Sequence, residues 1–125
     1  MRPELRELVR AAPDLSVAGD EVTVKFAEGR RHVVTVSENE DAIGLCGIVT
    51  RSRDAAAVAV DGVNVWRRHR SLSFVSFRID RHGRLVGESW VPKAGMSGEE
   101  LRMHVRLLAA ECDRFEHALT GRDVE

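Results

Sequence analysis

The stretch Ser97-Gly98-Glu99-Glu100, followed by Leu101, Val105, Leu108, Cys112, Phe115 and Leu119, constrains this chain more than any other. Those apolar residues step by 4, 3, 4, 3 and 4 positions and so form one stripe along a helix. Ser97 and Glu100 have the spacing of a capping box, in which the side chains of both residues satisfy free N–H groups of the first turn. Gly121 supplies a C-terminal stop. At 1.5 Å per residue such a helix is about 35 Å long. Its stripe needs an apolar surface of the same length, and a five-stranded sheet offers one.

The strands are legible by alternation. Val22, Val24 and Phe26 alternate with Glu21, Thr23 and Lys25, and His32-Val33-Val34-Thr35-Val36 follows. A loop over Glu28-Gly29-Arg30 would set Val24 across from Val34 and Val22 across from Val36. Ala42-Ile43-Gly44-Leu45-Cys46-Gly47-Ile48-Val49 is apolar on both faces and reads as a central strand. Its two glycines either admit a close approach to the backbone or mark a bulge. Residues 73–80 and 84–91 flank Arg81-His82-Gly83, a three-residue loop with glycine at its left-handed last position. That register sets Phe77 opposite Gly87 and Ile79 opposite Leu85. On the other face it sets Phe74 across from Trp90, beside Val86.

Two further helices complete the expectation. Pro3 to Ala12 carries an apolar stripe (Leu5, Leu8, Val9, Ala12) and ends at Pro13. Residues 51–71 favour a helix through Ala55–Val60 toward Trp66, although Asp61-Gly62 would also turn a hairpin. The predicted order is α-β-β-β-α-β-β-α. This is an α+β two-layer sandwich, an antiparallel five-stranded sheet with its helices on one face, forming a single domain over residues 1–125.

Composition narrows the function. Nineteen basic and twenty acidic residues give a net charge of −1, which argues against a nucleic-acid binder. No apolar run approaches a membrane span, and the N-terminal residues lack a signal-peptide core, so the expected location is cytoplasmic. Cys46 and Cys112 are far apart in apolar segments and read as two reduced thiols.

No motif carries chemistry. There is no GxSxG elbow and no glycine-rich phosphate loop. The five histidines are scattered, and Asp113 with His117, four apart, is only two ligands. No catalytic residue, metal or cofactor is expected. The cluster Arg67-Arg68-His69-Arg70 after Trp66 reads as a solvated connection, with an acidic protein partner and, behind it, nucleic acid as the functional alternatives.

The stretch from Asn64 to Leu119 resembles the YbjN family, whose fold is that of the type III secretion chaperones. The matching features begin with Val63-Asn64-Val65-Trp66, a Phe-x-x-Phe strand ending Ile79-Asp80, and the turn at Gly83. A strand ending Trp90-Val91-Pro92 follows, and then Gly95-Met96-Ser97-Gly98-Glu99-Glu100-Leu101 opening the last helix. The resemblance implies a small, non-enzymatic, cytoplasmic protein that is often dimeric and binds segments of other proteins. Some members act as sensory-transduction regulators. A net charge of −1 lacks the acidic character common in secretion chaperones, so the resemblance implies the fold more than a secretion role.

The resulting reading is a protein-binding module. Helices on one face leave the other bare, with Phe74, Val86 and Trp90 at its centre, Ile48 from the third strand, and Trp66 and Arg67 at the margin. The expected partners are a second copy of the chain and a protein client. The competing readings are a small enzyme or ligand-binding domain, which would need a polar pocket with convergent ionisable groups, and a purely self-associating regulatory homodimer.

Overall fold

The computed structural model describes residues 6–7, 12–51 and 75–124, with side chains of the last helix to His117. Six strands form one antiparallel sheet: β1 (Leu15–Ala18), β2 (Glu21–Lys25), β3 (Arg31–Glu38), β4 (Ala42–Thr50), β5 (Ser76–Ile79) and β6 (Leu85–Pro92). Their order across the sheet is β1-β2-β3-β4-β6-β5. One long helix, α1 (Gly98–Val124), lies across one face. The α+β, two-layer arrangement agrees with the expectation, but the sheet has six strands rather than five.

The additional strand is β1. Leu15 and Val17 alternate with Ser16 and Ala18, and Ala18 pairs with Glu21 across the two-residue loop Gly19-Asp20. Gly19 has φ of 62°, the sign that a type II′ turn requires at its first loop position. The predicted first helix contributes only Arg6 and Glu7 to the described residues, and both are helical. The predicted helix within residues 51–71 falls almost wholly outside them.

The β2–β3 register differs from the predicted one by two residues. Val22 faces Val34 and Val24 faces His32. Phe26 N–H donates to the Arg30 carbonyl at 2.8 Å, so the loop is Ala27-Glu28-Gly29. Gly29, at φ 82°, thereby takes the last loop position, where the left-handed conformation is needed. A two-residue slip preserves the face, so the valines remain in the core. In the second hairpin Phe77 faces Gly87 and Ile79 faces Leu85, as predicted, and Gly83 has φ of 78°.

β4 is central, between β3 and β6, which explains its apolar residues on both faces. Its glycines admit close approach, and the irregularity in the β4–β6 ladder falls instead between Ile48 and Thr50. Gly47 and Gly87 are register partners, and Cys112 of α1 sits over both. A Cβ on Gly47 would meet Cys112 Sγ at 3.1 Å, and one on Gly87 at 2.7 Å. Small residues here let the helix settle close to the sheet.

The core lies between the layers. Leu101, Val105, Leu108, Cys112 and Phe115 of the predicted stripe are all buried, against Val22, Val34, Ile43, Leu45 and Leu85 of the sheet. Phe115 meets Phe77 edge-to-face with ring centres 5.0 Å apart. At the start of α1 the Glu100 N–H donates to Ser97 Oγ at 3.1 Å, and the Ser97 hydroxyl donates to Glu100 Oε1 at 3.2 Å. The helix continues through Gly121 to Val124, because a glycine weakens a helix by about 1 kcal/mol without ending it. Arg106 of α1 holds Asp14, just before β1, by two hydrogen bonds of 2.8 Å, and this bond draws the Asp14 carboxyl below its usual pKa.

Candidate protein-binding face

Side chains alternate across a strand, so burying one set against α1 presents the other set on the opposite face. That second face carries Val33 and Thr35 from β3, Gly44, Cys46 and Ile48 from β4, Arg78 from β5, and Val86, Glu88 and Trp90 from β6. No described helix packs on it.

Trp90 occupies one end. Its side chain is 56% exposed, an unusual state for the largest apolar residue type. The indole lies over Gly44, its register partner. A Cβ on Gly44 would stand 2.7 Å from Trp90 Cη2 and 2.8 Å from both Trp90 Cζ3 and Ser37 Oγ. Gly44 is therefore a seat for the ring. The sequence showed a glycine in a central strand, and only the register shows what rests on it.

Ile48 and Val86, paired four residues further along, line a cavity of about 1150 Å³ that reaches around the end of the sheet to His32 and Glu116 on the α1 side. Ile48 is half-buried. Val86 is 2% exposed, so it is recessed and not a projecting contact. The cavity also takes in Arg51, Arg78, Arg81 and Arg84 near the β5–β6 turn. Phe74, Trp66 and Arg67, the other expected members of the face, lie outside the described residues. The structure thus places Trp90, Ile48 and Val86 on one face, at two separate positions along it.

The turn beside the cavity is set by Asp80. Its carboxylate accepts from the His82 and Arg84 backbone amides at 2.9 Å each and from Arg84 Nε at 2.7 Å. Desolvation opposes its ionisation, but these donors outweigh it and draw the carboxyl down to about 2. Arg78 donates to Glu88 at 3.0 Å. This web was not legible from sequence beyond the loop glycine.

The two cysteines lie on opposite sides of the sheet. Cys112 is buried under α1, and burial pushes its thiol up to about 12. Cys46 is half-buried on the other face, and its thiol is raised first by burial and then by the neighbouring Glu88. Neither is primed as a nucleophile. Asp113, half of the two-ligand spacing on α1, is engaged by Arg30 at 3.0 Å. His32 is buried, and its Nε2 lies 2.8 Å from the Ile48 carbonyl, which can only accept, so Nε2 carries the proton. Among the described residues no helix is long and apolar enough to cross a membrane.

No family model matches the chain, and no curated protein does. Its fold does match solved structures. A chain in the crystal structure of the ExsC–ExsE complex superposes with a TM-score of 0.61 over 93% of this chain and 93% of that one, at 14% identity. A chain in the structure of the HopA1–SchA chaperone–effector complex superposes with a TM-score of 0.55, covering 91% of this chain and 88% of that one, at 9% identity. At these identities the likeness is one of fold. The fold of this chain is chaperone-like.

Proposed function

We propose that this chain is a non-enzymatic protein-binding module that captures a segment of a partner protein on the sheet face opposite α1. In this reading it acts as a chaperone, adaptor or regulator of the kind found in the YbjN family and the type III secretion chaperones. It works as one domain over residues 1–125, in the cytoplasm, as a homodimer. The observation that carries the reading is Trp90: a large indole, 56% exposed, seated on a glycine of a central strand. Aromatic anchors held on rigid elements are the usual centres of protein interfaces. The chaperone-like fold supports the reading, since both neighbours were solved as complexes with a second protein.

The test is a Trp90→Ser variant compared with Gly44→Ala, which keeps the indole but displaces it from its seat. Proteins co-purifying with the wild type are identified by mass spectrometry and scored again with each variant. Trp90→Ser should lose them while the protein stays folded, at a cost of about 1–3 kcal/mol for the part of the ring that rests on Gly44. Adding Phe74→Ser should deepen the loss. Unchanged association, or a variant that fails to fold, would remove Trp90 from the binding surface.

A further inference from the structure

We infer that the arginine-lined cavity on this face takes the carboxylates of an acidic peptide segment, so that the partner presents an acidic stretch beside an apolar anchor. This deepens the protein-binding reading and rests on it. The cavity is lined by the apolar Ile48 and Val86 and draws Arg51, Arg78, Arg81 and Arg84 to the end where β4 leaves the sheet and β5 turns into β6. Two of these arginines are already oriented. The Arg78 guanidinium donates through Nε to Glu88 and the Arg84 guanidinium through Nε to Asp80, and among the described residues neither makes a further hydrogen bond through its Nη nitrogens. Each fork is therefore fixed on one side and has its Nη edge available for a second carboxylate, the geometry that suits bidentate recognition.

The acids beside the arginines are already engaged: Asp80 accepts from two backbone amides and Arg84, and Glu88 accepts from Arg78. Two further acids line the cavity, Glu21 of β2 and Glu116 of α1, and Glu116 lies 3.9 Å from His32 Nδ1 of β3. Four strand spacings separate β2 from β5, about 19 Å. The four arginines thus gather at the β5–β6 end of the cavity, across the sheet from Glu21. Trp90 stands four residues from Val86, about 13 Å along β6. An extended segment lying along the strand would bring an apolar residue to Trp90 when its acidic residues reach the arginines. A net charge of −1 for the whole chain favours a peptide over a nucleic acid as the anionic occupant.

Three fluorescein-labelled synthetic 12-mers test this by anisotropy. They share the same leucine and phenylalanine positions and carry glutamate, glutamine or lysine elsewhere. A dT12 oligonucleotide is the fourth probe. The glutamate peptide should bind tightest and weaken as salt rises, because exposed charges are screened over about 10 Å at 0.1 M. Arg51→Gln with Arg81→Gln should weaken it about three- to tenfold, the effect of two partly exposed charges. These two are chosen because Asp80 and Glu88 keep their partners, and an unchanged thermal melt checks the fold. Arg114→Gln on α1 should change nothing. If glutamate and glutamine peptides bind equally and both need Trp90, the inference fails and the protein-binding reading stands. If no peptide binds, both fail for extended segments. Tighter binding of dT12 would overturn the peptide as occupant.

Discussion

At Gly87 an added methyl would sit 2.7 Å from Cys112 Sγ and 3.0 Å from Phe77 Cε1, with no flexible chain end to give way. Gly87→Ala should therefore lower stability by about 1–3 kcal/mol, as overpacking does. Combined with Cys112→Ala, the loss should be smaller than the sum of the single losses, with a coupling of about 0.5–3 kcal/mol in a urea double-mutant cycle. Strict additivity would show that the sulfur is not the obstruction. Asp80 gives a second prediction, through pH. Its folded-state carboxyl is drawn to about 2 from an unfolded value near 3.8. The stabilisation is therefore complete above the unfolded pKa and is lost as pH falls from about 4 toward 2. Asp80→Asn should lower the urea midpoint at pH 7, and the gap to wild type should close over that window. A constant gap would mean that ionisation is not what holds the turn.

Among the elements, α1 was the most legible, because its stripe and its cap are local patterns that one face of tertiary structure merely covers. Ser97→Ala removes the oxygen that accepts from Glu100 N–H and should cost about 1 kcal/mol. Leu108→Ala should cost about 2–5 kcal/mol, since Leu108 is fully buried beneath the helix. A loss below about 0.5 kcal/mol in denaturant unfolding would contradict the packing. The hairpins were legible to the extent that their glycines were placed correctly. With Gly83 last in its loop, every described pair of β5 and β6 follows. Placing Gly29 in the middle of its loop shifted β2 against β3 by two residues. β1 has little signature of its own because four residues carry little periodicity, although the Gly19-Asp20 turn after Leu15 and Val17 marks its end. The candidate site was legible as a face and not as a surface. Alternation assigns Val86 and Trp90 to the same side. Whether a residue is recessed or projects depends on neighbours brought together from β4, β5 and β6, which no local pattern records.

For the molecule as a whole, the proposed homodimer predicts light scattering at twice 13.9 kDa. If the face opposite α1 is the self-contact, Trp90→Ser should return the mass to that of one chain. Scattering at the single-chain mass at every concentration would count against any dimer. The strand order has a separate consequence. β1 to β4 are a run of consecutive neighbours, and β5, β6 and α1 follow as another; the two runs meet along the ladder from Ala42–Pro92 to Thr50–Leu85 and where α1 packs over β2, β3 and β4. The described contacts between the runs are those of an interface, a backbone ladder along one side of β4 and an apolar layer over its face. Belonging to one chain adds to that interface a high effective concentration, which lets β4 and β6 find each other without a bimolecular search. The described fold can therefore be regarded as two interlocking pieces, folded locally and then fitted to each other as the subunits of a dimer would be.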